Sequence, residues 1–223
     1  MALHRIISDP ATGTINDMSK RSSPSSSKRS GNGRIRLIGG RFKRRQLSVL
    51  DSPGLRPTPD RVRETLFNWL SFEIAGARIL DPFSGSGALA FEAISRGASQ
   101  ALMIERDRKV AHLLKNNADT LGINDSVEIL NQDALRVLAR PAATPFDIVF
   151  LDPPFNKGLA DQAITLLEDN DWLTPDALIY VESESHHPAQ APMYWEKLRT
   201  VQAGESQAAL YRREAHTHSD NTP

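Results

Sequence analysis

The sequence predicts an α/β protein whose mostly parallel sheet is covered by helices on both faces, and three observations carry that prediction. From Arg78 onward, short apolar runs alternate with helix-length amphipathic stretches four times, ending on a further apolar run. Helices between short buried strands mean crossover connections, and therefore parallel neighbours. The first of these strands runs straight into a glycine-rich loop that opens a helix, and four successive strands each end in an acid: Asp81, Glu105, Asp133 and Asp152. A chain of 223 residues accommodates one such domain with a small appendage.

The elements follow in order. Residues 1–33 are polar and Ser-rich (SKRSSPSSSKRSGNG), with no period of two or 3.6, and read as a disordered leader. RIRLIGGRFKRRQLSVL, Arg34 to Leu50, alternates around Gly39-Gly40 and reads as a β-hairpin turning there. In LRPTPDRVRETLFNWL, Thr58 is the expected N-cap and Pro59 the first helical residue. A helix to about Phe72 then buries Val62, Leu66, Phe67, Trp69 and Leu70. Hairpin and helix form an N-terminal unit, residues 34–75, followed by the main domain, 76–214, and a flexible tail, 215–223.

Within the main domain, ARILD, QALMIE, SVEILNQD, FDIVFLD and ALIYVESE are the strands. ALAFEAISRG, DRKVAHLLKNNADTLG, ALRVLAR and KGLADQAITLLEDN are the helices, the second capped by Asp107 and closed by Gly122. EKLRTVQAGESQAALYRRE reads as a closing hairpin about Gly204-Glu205-Ser206, adding antiparallel strands at one edge. Trp69, Trp172 and Trp195 read as packing residues.

Composition excludes several chemistries. With no cysteine there are no disulfides, thiolate metal sites or cysteine nucleophiles. No apolar run approaches the roughly 20 residues that span a bilayer, and no secretory signal is visible, so a cytoplasmic protein without membrane contact is expected. His186, His187, His216 and His218 lack accompanying ligands, and no metal site is expected.

The net charge is zero, but Met1 to Glu64 carries 14 Lys/Arg against 5 Asp/Glu while Thr65 to Pro223 carries 13 against 22. Between Asp17 and Asp51 there are ten Lys/Arg and no acid. That is a polyanion-binding front end on an acidic body. Arg34, Arg36, Arg41, Lys43, Arg44 and Arg45 on the hairpin are placed to meet RNA phosphates, with Arg56 and Thr58 near the mouth of the site.

The loop Asp81 to Gly87 (DPFSGSG) carries small residues at Gly85, Ser86 and Gly87, which let backbone approach a ligand closely at a helix N-terminus. Gly85 to Ala90 also fits G-x-G-x-x-A, with Glu105 at the distance of a ribose-binding acid, so a nicotinamide dehydrogenase is one reading. Asp81 and Asp133 argue against it. Three carboxylates at neighbouring strand tips repel a pyrophosphate but suit a cofactor bearing an ammonium, a sulfonium, ribose hydroxyls and an adenine amine, and S-adenosylmethionine is that molecule.

The fourth tip carries Asp152-Pro153-Pro154-Phe155. Prolines hold the preceding residues extended and lack N–H groups, so a carboxylate and an outward carbonyl offer two acceptors to one NH2 while Phe155 offers a ring for stacking. An exocyclic base amine is a poor nucleophile, and two acceptors plus a stacking surface orient its nitrogen toward an electrophilic methyl.

DPFSGSG, Glu105, Asp133 and above all DPPF resemble the motifs of S-adenosylmethionine-dependent amino-methyltransferases. With the basic hairpin and RPTPDRVRETLFNWL they resemble, from about Arg34 to Arg213, the bacterial RsmD family. The resemblance implies a Rossmann-like class I methyltransferase fold, with seven strands and the last pair reversed. It implies methylation of the exocyclic N2 of a specific guanine, a guanine 966 type site, in 16S rRNA of an assembled or partly assembled small subunit, by a monomer. By the same resemblance Asp81, Ser84, Gly85 and Gly87 line the methionine end, Glu105 the ribose, Asp133 and Ala134 the adenine, and Asp152 to Phe155 the guanine. Adenine N6 or cytosine N4 in DNA is the alternative substrate, and a non-catalytic RNA-binding module the alternative of another class.

Overall fold

A computed structural model describes residues 32–50, 59–155 and 158–214. Residues 1–31 of the leader, Arg56, Thr58, Asn156, Lys157 and the tail lie outside the described residues.

Among the described residues seven strands form one sheet: β3 (Arg78–Asp81), β4 (Gln100–Ile104), β5 (Val127–Leu130), β6 (Phe146–Leu151), β7 (Leu173–Glu184), β8 (Trp195–Ala203) and β9 (Ser206–Arg213). Their order across the sheet is β5-β4-β3-β6-β7-β9-β8. Five neighbours from β5 to β7 pair in parallel, and β9 pairs antiparallel with both β7 and β8. The last pair is reversed in order, since the chain's final strand inserts inside β8; in direction only β9 opposes the rest. Winding changes direction between β3 and β6. Such a switch point leaves a crevice at the strand C-termini, where open α/β sheets bind ligands.

The two faces follow from period-two alternation. Ile79, Met103, Ile148, Phe150, Leu178 and Tyr180 face α1 (Asp60–Trp69), α2 (Ala88–Ser95) and α3 (Arg108–Leu121). Their neighbours Leu80, Ile104, Val149, Leu151, Ile179 and Val181 face α4 (Ala134–Leu138) and α5 (Leu159–Asp169). Helix ends are chemically marked: Asp107 accepts from the backbone N–H groups of Lys109 and Val110 at 2.7 and 3.1 Å, and Gly122 closes α3 at φ +66°. Trp172 stacks on Phe146 with 5.9 Å between centroids and donates Nε1–H to the carbonyls of Leu138 and Arg140. Among the described residues no helix is long and apolar enough to cross a membrane.

Several boundaries differ from expectation: α1 ends at Trp69 rather than about Phe72, and β5 ends at Leu130, short of Asp133. Helix α1 starts at Asp60, with Pro59 as the cap: its ψ of 143° is extended, and its carbonyl accepts from Val62 and Arg63. Strand β7 begins at Leu173 rather than Ala177, the extra length slipping register against β6 between Phe146 and Ile148 where Pro175 interrupts the ladder. The hairpin strands β1 (Asn32–Arg36) and β2 (Gln46–Leu50) are joined not by a tight turn at Gly39-Gly40 but by the loop 37–45, closed by Leu37–Arg45 and Arg44–Leu37 backbone bonds.

That loop is anchored. All eight residues of α2 are buried, Glu92 and Ser95 included, because the helix is sandwiched between sheet and hairpin. Glu92 accepts from the N–H groups of Ile38 and Gly39 at 2.7 and 2.8 Å and from Arg96 Nε at 2.6 Å. Ser95 Oγ accepts from Phe42 N and donates to the Gly39 carbonyl. At Gly40, φ is +70° and a Cβ would lie 1.8 Å from the Ser95 carbonyl oxygen, so only glycine fits. Ile35, Leu37, Leu47 and Val49 complete the same core as α1, α2 and α3.

Candidate active site

The site is assembled at the C-terminal rim of the sheet, around the crevice between β3 and β6. Asp81, the last residue of β3, is 2% exposed. The loop after it folds on itself: Ser84 Oγ donates to the Asp81 carbonyl at 2.6 Å, Ser84 N donates to the Ile104 carbonyl, and Gly87 N donates to the Ser84 carbonyl. Gly85 and Gly87 both have positive φ, and a Cβ on Gly87 would lie 2.6 to 2.8 Å from Phe91, Leu114 and Met103. The loop therefore needs glycine there for conformation and for packing.

Glu105, just past the tip of β4, pins this loop. Its Oε2 accepts from Gly85 N at 3.0 Å and its Oε1 from Asp107 N at 2.7 Å. Burial, and secondarily the Glu105 carboxylate, push the Asp81 carboxyl up from 3.8 to about 7. Two carboxylates crowded at one loop suit a ligand that brings positive charge, and the ammonium and sulfonium of S-adenosylmethionine meet that requirement.

Asp133 and Ala134 stand at the next tip, beyond β5. Asp133 caps α4, accepting from Arg136 N at 3.1 Å, and Ala134 is the buried first residue of that helix. Asp133 thus does the same structural work as Asp107, and the outer strand tip is where the fold puts it.

Across the crevice, β6 ends at Leu151, and Asp152, half-buried, opens the tetrapeptide. Pro153 is buried, whereas Pro154 and Phe155 are exposed, Phe155 with 37% of its surface open. Tyr180, buried on β7, donates its hydroxyl to Glu182 Oε1 at 2.7 Å. Burial first, then Glu182 and Asp152, hold the Tyr180 hydroxyl well above its ordinary pKa, so it stays a donor. A cavity of about 380 Å³ opens here, lined by the tetrapeptide's Pro153, Pro154 and Phe155 and by Glu182 and Glu184 of β7. His186 and His187 are exposed at its rim.

The glycine loop, Glu105 and the tetrapeptide thus share one rim. The four basic residues of the hairpin loop do not. Arg34, Arg36, Arg41, Lys43, Arg44 and Arg45 are exposed, but the loop carrying the last four docks on Ser95 and Arg96, at the C-terminal end of α2 and so at the far rim of the sheet. Arg36 pairs loosely with Asp60 at 3.7 Å, and Arg41 lies over the Phe42 ring.

Four residues that sequence reasoning passed over turn out to matter. Glu92 and Tyr180 sit inside the apolar runs ALAFEAIS and ALIYV, and Glu182 directly follows the second. Arg63 is 1% exposed and joins hairpin to helix, donating Nη2–H to the Arg36 carbonyl and to Asp60.

The family model described as "Conserved hypothetical protein 95" matches residues 35–212. Ribosomal RNA small subunit methyltransferase D of Escherichia coli strain K12 is 51% identical over 192 residues, covering 86% of this chain and 96% of that relative. The protein of the same name from Haemophilus influenzae is 48% identical, covering 81% and 94%. A solved Escherichia coli structure, yhhF, superposes with a TM-score of 0.77 at 48% identity, covering 82% of this chain and 99% of that one. A match over this span, at this identity, with a glycine loop and DPPF facing one crevice, makes the chain a member of the RsmD family of class I S-adenosylmethionine-dependent methyltransferases.

Proposed function

We propose that this protein methylates the exocyclic N2 of a guanine in small-subunit ribosomal RNA, at a guanine 966 type site, acting as a monomer on an assembled or partly assembled subunit. The observation that carries the reading is the position of Asp152 to Phe155 directly across the β3–β6 crevice from the loop held by Glu105. The names of the relatives point to the same substrate class.

S-adenosylmethionine, when bound, supplies an electrophilic methyl carbon. Asp81, Ser84, Gly85 and Gly87 would hold its methionine end, Glu105 its ribose, and Asp133 and Ala134 its adenine. The Asp152 carboxylate and the Pro153 carbonyl accept the two N2 hydrogens, aim the nitrogen lone pair and stabilise positive charge as it develops there. Phe155 stacks on the base. The surplus N2 proton leaves after the new bond forms, to Asp152 or to water. Arg34, Arg36, Arg41, Lys43, Arg44 and Arg45, with Arg56 and Thr58, would grip RNA phosphates and surroundings.

Asp152→Ala is expected to abolish turnover on small-subunit particles while cofactor and RNA affinities stay within about threefold of the unsubstituted protein. Mapping of methylated nucleosides in ribosomal RNA from cells lacking the protein should show loss of one N2-methylguanosine. Methyl transfer to DNA alone, or an unchanged nucleoside map, would reject the proposal. A dehydrogenase or a bare binding module leaves the tetrapeptide without a task.

A further inference from the structure

We propose that Glu182 reads the target base, accepting the N1–H of guanine beside the N2 amine that the tetrapeptide holds. The inference rests on the amine-methylating role proposed above and adds what makes the site choose guanine.

The geometry comes from the β6–β7 ladder. Phe150 pairs with Tyr180 and Leu151 with Val181, so the next residues, Asp152 and Glu182, project from neighbouring strands toward the same face. Parallel neighbours are spaced by about 4.8 Å, which sets their two carboxylates side by side. Glu182 is 8% exposed, unlike the half-buried Glu184 beyond it, and lines the cavity together with Pro153, Pro154 and Phe155. Its orientation is imposed from below, because the Tyr180 hydroxyl donates to Oε1 at 2.7 Å from a residue that is itself fully buried. A buried carboxylate, held by a donor and adjoining a base-sized cavity, favours a partner that brings a further N–H.

The chemistry of the bases then selects. Guanine presents N1–H next to N2–H2, an unbroken row of three donor hydrogens. Adenine presents an acceptor, N1, next to its N6 amine, and cytosine presents the acceptor N3 next to N4. The tetrapeptide alone serves any of the three amines. A second carboxylate beside it matches guanine and sets lone pair against lone pair in the other two. Sites built to hydrogen-bond a substrate N–H reject analogues lacking it by factors of about 10⁴–10⁵.

The test replaces the target guanine by 2-aminopurine, which keeps the N2 amine but carries a lone pair at N1, in reconstituted small-subunit particles. The unsubstituted protein is expected to favour guanine by at least about 100-fold in kcat/KM. Glu182→Gln, nearly isosteric and able to accept or donate, should narrow that preference at least about 10-fold, and Glu182→Ala should remove most activity on guanine while cofactor affinity is kept. Tyr180→Phe, which releases the carboxylate from its tether, should narrow the preference in the same direction, and it serves as a second variant if Glu182→Gln does not fold. Methylation of guanine N2 with the preference unchanged in the variants overturns the role of Glu182 alone. No methylation of guanine N2 by the unsubstituted protein overturns the parent reading instead.

Discussion

Asp81 shows how one buried group couples folding to ligand. Its carboxyl titrates near 7 in the folded protein against 3.8 in the unfolded chain, because it is buried and because Glu105 lies close. The folded state therefore holds this proton more tightly, and the contribution of Asp81 to stability falls as pH rises from about 4 to about 7. Without cofactor, the melting temperature relative to Asp81→Asn should decline across that window and level off above it. A cationic ligand beside the carboxylate reverses the preference, so cofactor binding at pH 6.5 to 7 should release a proton and tighten with rising pH. Calorimetry in buffers of different ionisation enthalpy reads that release; proton uptake would contradict it. Asp81, Glu105 and Asp152 were legible in the sequence because each ends an apolar run. Glu182 follows the run ALIYV in the same way, but its place beside Asp152 was not legible, because it is set by a ladder neighbour 30 residues away.

At the scale of elements, the hairpin is fastened to the domain by polar groups buried on a helix. Glu92 neutralises Arg96 and caps two loop N–H groups, and Asn117 of α3 exchanges two hydrogen bonds with the Ser48 backbone. Removing one partner of a buried charged cluster costs about 3–5 kcal/mol, so Glu92→Ala should lower unfolding free energy by that order in urea titrations. A loss under about 1 kcal/mol would mean that the clamp is not what anchors the loop. The strand and helix succession of the main domain was readable because buried strands and amphipathic helices have different apolar periods. The docking was not, since Ile38, Gly39 and Phe42 meet residues more than 50 positions away and the glycine pair suggested a turn. Gly40 is there for its contact with Ser95 rather than for a two-residue hairpin.

For the whole molecule, the separation of charge along the chain becomes a separation in space. Arg41, Lys43, Arg44 and Arg45 sit at the C-terminal end of α2, while the tetrapeptide Asp152 to Phe155 belongs to the rim where α2 begins. Eight helical residues span about 12 Å, so an RNA touching both would have to bridge at least that distance. Phosphate contacts made there would supply affinity and not transition-state stabilisation. Replacing Arg41, Lys43 and Arg45 together by Gln, and leaving Arg44 alone because its φ is +71°, removes three cations without straining the loop. The slope of log affinity against log salt should then fall by about 2 to 3, KM for the particle should rise, and kcat at saturating RNA should hold. A short RNA carrying the target guanine but too small to reach the hairpin should be indifferent to the substitution. If kcat fell with affinity on both substrates, the hairpin loop would have to act at the reacting base, and the arrangement of two rims argued from the α2 docking would be wrong.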